Sequence, residues 1–480
     1  MNKYIKNYIL SITNTLATML YPIITFSYVS RVLGPQKLGI IDFAQSYGYY
    51  FLHLASFGIN SYAIREVSRV RGDREKVEKI SNEIFNLNFF FSVISTIIYF
   101  CGIFFAPNFR ENFIVFVIYS IVILSNFLSL DWFLQSFDDY FFFVIRNLII
   151  RVFSIFAVFV LIKQEDDFII YMIITCIVEM GTKFSNLLYI RKHYVKLKIK
   201  KIYLNFSAHI KYMRVLFVFR LVNGISANLD KLMIGFMLTY AGVGIYSAGV
   251  KIVLMVSTLI ETVGIVLFPK INISATVSQQ EYYKNLKINY DIIVLMGIPM
   301  VVVMCLVSGR LIPLFAGSQY MDAIMVSRIM SIIILLGPMA DMLGSKILLV
   351  YKKDNQLLLC SSIVALANIV LNYIFIPIWG INGAAVASAI CYVIAVTLRY
   401  FFSYKIVKFM LFSKSMIKYT LFTVPFVVLY IIFHKQIDTN NLWMFVYMGV
   451  CILIYFIELI ISKDYYVKMI ICRVFRKENI

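Results

Sequence analysis

Residues 30 to 39 read Ser30-Arg31-Val32-Leu33-Gly34-Pro35-Gln36-Lys37-Leu38-Gly39, a short polar corner between two apolar runs, each long enough to cross a bilayer. Beyond the corner, Asp42, Gln45, Tyr49, His53, Ser56 and Asn60 recur at steps of three or four, which predicts one helical face. An acid, an imidazole and amides are costly in hydrocarbon, so this stripe is expected to face protein or water. Two crossings joined by a tight polar corner set the pattern for the whole chain.

Apolar residues make up 61% of the 480, charged residues 15%, and the mean hydropathy is +0.84. Soluble domains carry about 25% charge, so the composition is that of a polytopic membrane protein. The net charge of +20 implies no nucleic-acid partner, because Lys and Arg sit in short loops between apolar runs, as the positive-inside rule predicts. Six of the seven cysteines lie inside apolar runs and Cys472 in the tail, with no CxxC pair, so neither disulfides nor a metal site is expected. Lys3 and Lys6 precede no short apolar core with a small-residue cleavage site, so the first span is expected to be retained.

About fourteen candidate spans of about 20 residues each follow, at 8–30, 38–62, 84–106, 112–134, 141–163, 168–190, 213–238, 242–268, 289–316, 323–350, 356–378, 382–404, 417–434 and 442–462. With the N-terminus inside, the inner segments hold 30 Lys and Arg and the outer loops five: Arg31, Lys37, Arg110, Lys163 and Lys435. This bias predicts an even number of spans and both termini in the cytoplasm. Ten further basic residues, Arg146, Arg151 and Lys183 among them, fall inside spans, where each costs about 2.5 to 3.5 kcal/mol at a helix centre. Several are therefore expected to face a hydrated interior. The inner loop 63–83 mixes both signs of charge, the pattern of a solvated helix with local ion pairs.

Leu33 to Ile40 (LGPQKLGI) lines up with Leu238 to Ile245 (LTYAGVGI) at an offset of 205 residues, each joining an odd span to an even one. An even number of spans between copies predicts a parallel repeat. The organisation expected is an N-lobe at 1–190 (spans 1 to 6), a basic cytoplasmic linker at 191–212, a C-lobe at 213–404 (spans 7 to 12), two additional spans at 405–462, and a basic cytoplasmic tail at 463–480. The fold class is all-α integral membrane.

Four further stripes carry polar chemistry. Span 7 places Arg220, Asn223, Asp230 and Lys231 within about 100°, and span 8 carries Ser247, Lys251, Thr258, Glu261 and Thr262. Span 1 has Ser11, Asn14, Thr15, Thr18, Pro22 and Thr25, and span 6 has Thr175, Glu179, Lys183 and Asn186. Polar faces on spans 1, 2, 7 and 8 suggest a cavity lined from both halves. Cations outnumber acids in the spans, and guanidinium suits phosphate through bidentate bonds, so a phosphate-bearing anionic substrate is the expectation, with Arg31, Arg146, Arg220, Lys231 and Lys251 as its cationic contacts. Asp42, His53, Asn60, Asn223, Asp230 and Glu261 are the candidates for polar cavity lining or coupling. The structural alternatives are that Glu179 and Lys183, spaced i to i+4, neutralise each other, that Asp42 pairs with Arg31 or another cation, and that His53 bonds a carbonyl instead of relaying protons. No GxSxG, phosphate-binding glycine loop or HExxH is present, so no enzyme chemistry is expected.

Pro22, Ser30-Arg31-Val32-Leu33-Gly34-Pro35, Phe57-Gly58-Ile59 and Arg65-Glu66-Val67-Ser68-Arg69 together resemble the N-terminal pattern of Wzx-type O-antigen and capsule flippases, within the multidrug/oligosaccharidyl-lipid/polysaccharide exporter superfamily. Asp230-Lys231, Val243-Gly244-Ile245-Tyr246 and the run from Pro377 to Ala385 agree. The resemblance implies two six-helix lobes around a V-shaped cationic cavity, plus two extra helices, and alternating access that carries an undecaprenyl-pyrophosphate-linked oligosaccharide across the bacterial inner membrane. It matches Arg31 to the cavity arginine after the first span, and Arg220 and Lys251 to second-lobe cations. It further implies membrane lipids and the pathway's polymerase and chain-length regulator as partners. Coupling to a proton or sodium gradient is a family trait, although the sequence shows no diagnostic ion site and no other cofactor is expected. A lipid II flippase, a MATE-like drug exporter, or a membrane polymerase or ligase are the alternatives.

Overall fold

The computed structural model describes residues 3–105, 109–199, 209–210, 213, 217, 224, 228–406 and 413–466, without the side chains of 3–20, 140 and 266. Its helices are α1 (Lys3–Ser56), α2 (Ile59–Arg69), α3 (Arg74–Phe105), α4 (Phe113–Leu124), α5 (Asp131–Ser136), α6 (Tyr140–Leu161), α7 (Phe168–His193), α8 (Tyr240–Val277), α9 (Gln279–Ala316), α10 (Ala323–Met330), α11 (Ile333–Leu343), α12 (Asp354–Trp379), α13 (Ile381–Ser403), α14 (Lys414–Leu421), α15 (Val424–Thr439) and α16 (Asn441–Ile461). Among the described residues there is no strand, and ten helical segments are long and apolar enough to cross a membrane, or eleven if α10 and the following 333–348, bent by 40°, form one span. Of the remaining candidates of the sequence reading, 8–30 falls within α1, 38–62 begins in α1 and ends in α2, and nearly half of 213–238 lies outside the described residues. This is a multi-pass α-helical membrane protein.

The polar corner is a break inside α1. Gly34 sits at φ 70°, ψ 173°, outside helical geometry, and Pro35 follows. Proline disfavours the helical region for the residue before it, and only glycine enters positive φ freely. Two helices therefore meet end to end here.

The repeat at 205 residues has a direct counterpart in packing. A Cβ built on Gly39 would lie 1.7 Å from the Tyr240 carbonyl oxygen, and one on Gly244 would lie 2.2 Å from the Pro35 carbonyl oxygen. Tyr240 is the repeat partner of Pro35, and Gly244 that of Gly39, so each contact is the image of the other, the reciprocity of a two-fold interface. Both clashes are with backbone, which no side-chain rotation relieves. Gly39→Ala and Gly244→Ala are each expected to destabilise by about 3 kcal/mol, the upper end for overpacking. Gly72→Ala, which meets nothing within 4 Å, serves as the control, and thermal unfolding in detergent reads all three.

The stripe after the corner is shorter than predicted. α1 ends at Ser56; Phe57 (φ 37°) and Gly58 (φ 74°) turn the chain in left-handed conformations before α2 begins. Asp42, Gln45, Tyr49, His53 and Ser56 thus share one helix, and Asn60 belongs to the next. Phe57 is held by stacking on Phe91 and Phe217, with ring centroids 4.2 and 4.4 Å away. This packing, invisible to a periodicity count, supports the non-glycine residue at positive φ.

The chain forms two compact units, Met1–Ser247 with Ser361–Ala384, and Ala248–Cys360 with Ala385–Ile480. These divisions fall inside α8, α12 and α13, and the start of α8 packs on the corner of α1. In each unit, loop contacts join like with like in the span alternation. Lys37 pairs with Asp166 at 3.5 Å, Arg71 with Asp138 at 2.8 Å, and Lys418 with Asp464 at 2.6 Å; Arg310 donates to Asn441 at 2.6 Å. The 63–83 segment carries the local ion pairs expected, Glu66 with Arg65 and Arg69 and Asp73 with Lys76, but instead of one solvated helix it is the end of α2, a turn and the start of α3, with Ala63, Val67 and Val77 buried. Hydrogen bonds from Lys76 hold the Asp73 carboxyl below the usual carboxylate range.

Candidate functional site

In the first unit, residues 228–237 are helical and carry Asp230, which is 8% exposed. Its carboxylate accepts hydrogen bonds from Asn372 Nδ2 at 2.7 Å, from Asn368 Nδ2 at 3.0 Å and from the Tyr246 hydroxyl. Asn368 and Asn372 are four apart on α12, which places both amides on one face. Both are fully buried, and the Oδ1 of each has no partner among the described residues. A buried carboxylate in an apolar bundle thus accepts from three neutral donors, with two buried amide oxygens left over among the described residues. Leaving such groups unmatched costs about 1 to 3 kcal/mol each, which marks the cluster as built for something besides stability.

Arg146, also in this unit, is spent on protein. It donates to Asn147 Oδ1 at 2.8 and 3.3 Å, to the Thr182 carbonyl at 3.2 Å, to Asn186 Oδ1, and to Asp131 Oδ1 at 3.4 Å. Asn186 in turn donates to Asp131 at 2.8 Å. One buried guanidinium therefore ties α5, α6 and α7 together, a placement that differs from a lining residue awaiting substrate. Lys183 is likewise buried and donates to the Val122 carbonyl at 3.1 Å. Glu179 is exposed and forms no ion pair with Lys183, which corrects the i to i+4 expectation: the lysine turns inward toward α4.

In the second unit, Ser257 donates to Glu261 at 3.3 Å. Lys346, 3% exposed, pairs with Asp341 at 3.3 Å. Lys346 stands on a π-helical turn, Gly344–Leu348, whose wider loop turns it inward; such turns recur at functional sites. A Cβ on Gly264 would come within 2.5 Å of the Lys346 Nζ, so α8 leaves space for the ammonium.

The other predicted residues are placed as follows. Arg31 is exposed just before the break in α1, and Lys231 is half-buried beside Asp230 in sequence. Asp42 is half-buried with its Oδ2 enclosed and unpartnered among the described residues. It does not pair with Arg31; eleven helical residues separate them by about 16 Å of rise even in an unbroken helix. His53 packs edge-on against Tyr49 at 4.4 Å between ring centroids. Lys251 and Glu261 lie in the second unit, and Arg220 and Asn223 lie outside the described residues. Hydroxyls of the predicted stripes largely bond their own helices: Thr25 to Tyr21, Thr175 to Met172, Thr258 to Leu254 and Thr262 to Thr258. Such back-bonding satisfies a hydroxyl without a ligand, so those stripes carry less functional information than their charges.

Sequence reasoning missed Tyr246, Asn368, Asn372, Asp341 and Lys346 as parts of these clusters. The two asparagines gave the same i to i+4 signal as the stripe on span 2, but without a charge to draw attention. Among the described residues no three His, Cys, Asp or Glu side chains converge on a metal position.

Comparison with known proteins agrees with this architecture. The fold matches an inward closed conformation of the lipid II flippase MurJ, at 19% identity over 94% of this chain and 99% of that one, with TM-score 0.76. It also matches an inward-facing multidrug resistance MATE transporter of the MOP superfamily, at 14% identity over 82% of this chain and 94% of that one, with TM-score 0.59. In sequence, 148 residues are 21% identical to the "Putative O-antigen transporter" of Escherichia coli (strain K12), spanning 31% of this chain and only 36% of that relative's length. The family model for polysaccharide biosynthesis proteins matches residues 4–275, more than half of the chain, so the protein belongs to the polysaccharide biosynthesis protein family and has the helical fold of MurJ and the MATE transporters.

Proposed function

We propose that the protein is a flippase that moves an undecaprenyl-pyrophosphate-linked oligosaccharide from the cytoplasmic to the outer leaflet by alternating access, for O-antigen, capsule or exopolysaccharide synthesis. The observation that carries the reading is the family match over residues 4–275 on a fold shared with a lipid II flippase. A pyrophosphate with its sugars cannot cross about 30 Å of hydrocarbon unaided, and a cationic cavity opening to one side at a time shields it while the lipid tail stays in the bilayer. Arg31, Arg220, Lys231 and Lys251 are the proposed contacts to the pyrophosphate. Fourteen spans, six plus six plus two, with both termini cytoplasmic in the bacterial inner membrane, complete the proposal, with the pathway's polymerase and chain-length regulator as neighbours.

Coupling to a cation gradient is assigned to Asp230. Turning the Asn368 and Asn372 amides over would present both oxygens beside the carboxylate, an all-oxygen set that suits a hard cation such as sodium; protonation of Asp230 is the proton-coupled variant. Asp42, His53 and Glu261 are proposed to line the route.

Deleting the gene and locating the lipid-linked saccharide that accumulates tests the reading. A single repeat unit held on the cytoplasmic face, protected from externally added glycosidase, is the expected result. Accumulation on the outer face would assign the missing step to a polymerase or ligase instead.

A further inference from the structure

The second unit has a cavity of about 490 Å³ that none of the preceding roles uses. Five lysines line it, drawn from three separated segments: Lys284 and Lys287 on α9, Lys414 and Lys418 on α14, and Lys463 just past α16. All three segments fall on one side in the span alternation, the side to which the charge bias assigns the cytoplasm. The floor is buried and polar. Asp464, 6% exposed, is held by Lys418 at 2.6 Å and by the Tyr419 hydroxyl at 3.1 Å; Asp291, 4% exposed, accepts from the Tyr466 hydroxyl at 2.7 Å. Five lysines against these two aspartates leave the cavity at +3. The ammonium groups of Lys284, Lys287, Lys414 and Lys463 make no ion pair or hydrogen bond among the described residues.

The surroundings say what such a cavity would meet. Beside these lysines on α14, Ile417 and Leu421 are more than half exposed, and the 414–439 and 441–461 segments are the least buried of the ten spans. The lysines therefore sit where lipid-facing helices leave the hydrocarbon, at the depth of phosphate headgroups. Ser413 caps α14 by accepting from the Met416 amide, so the positive end of that helix dipole lies at the cavity mouth and adds to the attraction for anions.

We propose that this cavity binds the phosphate of an anionic phospholipid from the adjoining leaflet, with the four unpaired lysines as its contacts and the Lys418–Asp464 pair as a fixed floor. Basic clusters at the membrane surface attract anionic lipid additively, lysine by lysine, and drawing them from three segments makes the bound headgroup a clasp for α9, α14 and the end of α16. The proposal concerns resident lipid and does not rest on what the protein transports.

The test uses the purified full-length protein in neutral detergent, with dioleoylphosphatidylglycerol as probe, dioleoylphosphatidylcholine as neutral control and inorganic phosphate as the free anion. Retained lipid is counted by native mass spectrometry. Wild type is expected to retain phosphatidylglycerol at least about tenfold better than phosphatidylcholine, and Lys→Gln at 284, 287, 414 and 463 together to reduce that retention about tenfold. The same change at four exposed lysines elsewhere, Lys79, Lys192, Lys196 and Lys198, is expected to leave it unchanged. A gentler variant guards against misfolding: Lys463 is at φ 50°, where glycine is favoured after a helix, so Lys463→Gly should keep or raise the melting temperature while weakening retention. Undiminished retention in the fourfold variant overturns the proposal. So does an equal loss in the control set, which would mean a diffuse basic surface, and so does complete competition by inorganic phosphate, which would mean an anion pocket indifferent to lipid.

Discussion

Asp230→Asn is expected to leave the protein folded and to remove transport together with its response to cations. The substitution keeps the shape and, with its amide oxygen in the place of Oδ1, still accepts from Asn368 and Asn372; the new Nδ2 takes the place of Oδ2 and faces the Tyr246 hydroxyl. That conflict is relieved cheaply, because the Tyr246 hydroxyl can accept as well as donate. The change in stability is therefore expected to stay within about 1 kcal/mol. Cation affinity is another matter. Interactions with a charged partner are worth about 1.5 to 3 kcal/mol, so replacing the carboxylate is expected to weaken binding about 10- to 150-fold. In thermal unfolding, wild type should melt higher as sodium replaces choline, by an amount equivalent to about 2.7 kcal/mol at 100 times the dissociation constant, whereas Asp230→Asn should show no such rise. Asp230→Ala separates fold from function in the opposite sense. It strands three buried donors at about 1 to 3 kcal/mol each and is expected to lower protein levels as well. An unchanged sodium response in Asp230→Asn would remove this cluster from the coupling mechanism.

The difference between what was legible in the sequence and what was not follows the range of the interactions. Gly34-Pro35 announced a break in α1 because its cause lies within two residues, in the φ that glycine allows and the ψ that proline imposes. The repeat of Leu33–Ile40 at Leu238–Ile245 was visible as three identities, and its glycines turned out to touch each other's segment. Asn60 was misplaced because the turn before it depends on Phe57 stacking across to Phe91 and Phe217, a non-local cause. The Glu179–Lys183 expectation failed for the same reason: a carbonyl on α4 captured the lysine. Asn368 and Asn372 went unremarked because amides in apolar helices commonly bond their own backbone, and only the arrival of Asp230 from a distant segment distinguishes this pair. Charges announced themselves in the sequence; their partners did not.

Arg146 makes the sharpest case for that distinction, because its charge suggests a substrate contact and its surroundings suggest a structural tie. Arg146→Ala is expected to destabilise by about 3 to 5 kcal/mol, the range for breaking a buried charged network. Little of this comes from the ion pair itself. The Asp131 side chain is 42% exposed, so its attraction is screened to about 1 kcal/mol or less. The larger part comes from Asn147 and Asn186, both buried, whose oxygens lose their donors at about 1 to 3 kcal/mol each. Arg146→Lys keeps the charge but not the planar fork that reaches Asn147, Asn186, Thr182 and Asp131 together, so it is expected to recover at most about half of the lost stability. Transport per folded molecule, measured at a temperature where the variants remain folded, should be close to wild type in both. The opposite pattern, normal unfolding temperature in Arg146→Lys with transport reduced more than about tenfold, would return the guanidinium to the substrate path, since only a ligand that needs the bidentate geometry would register its loss without the fold doing so.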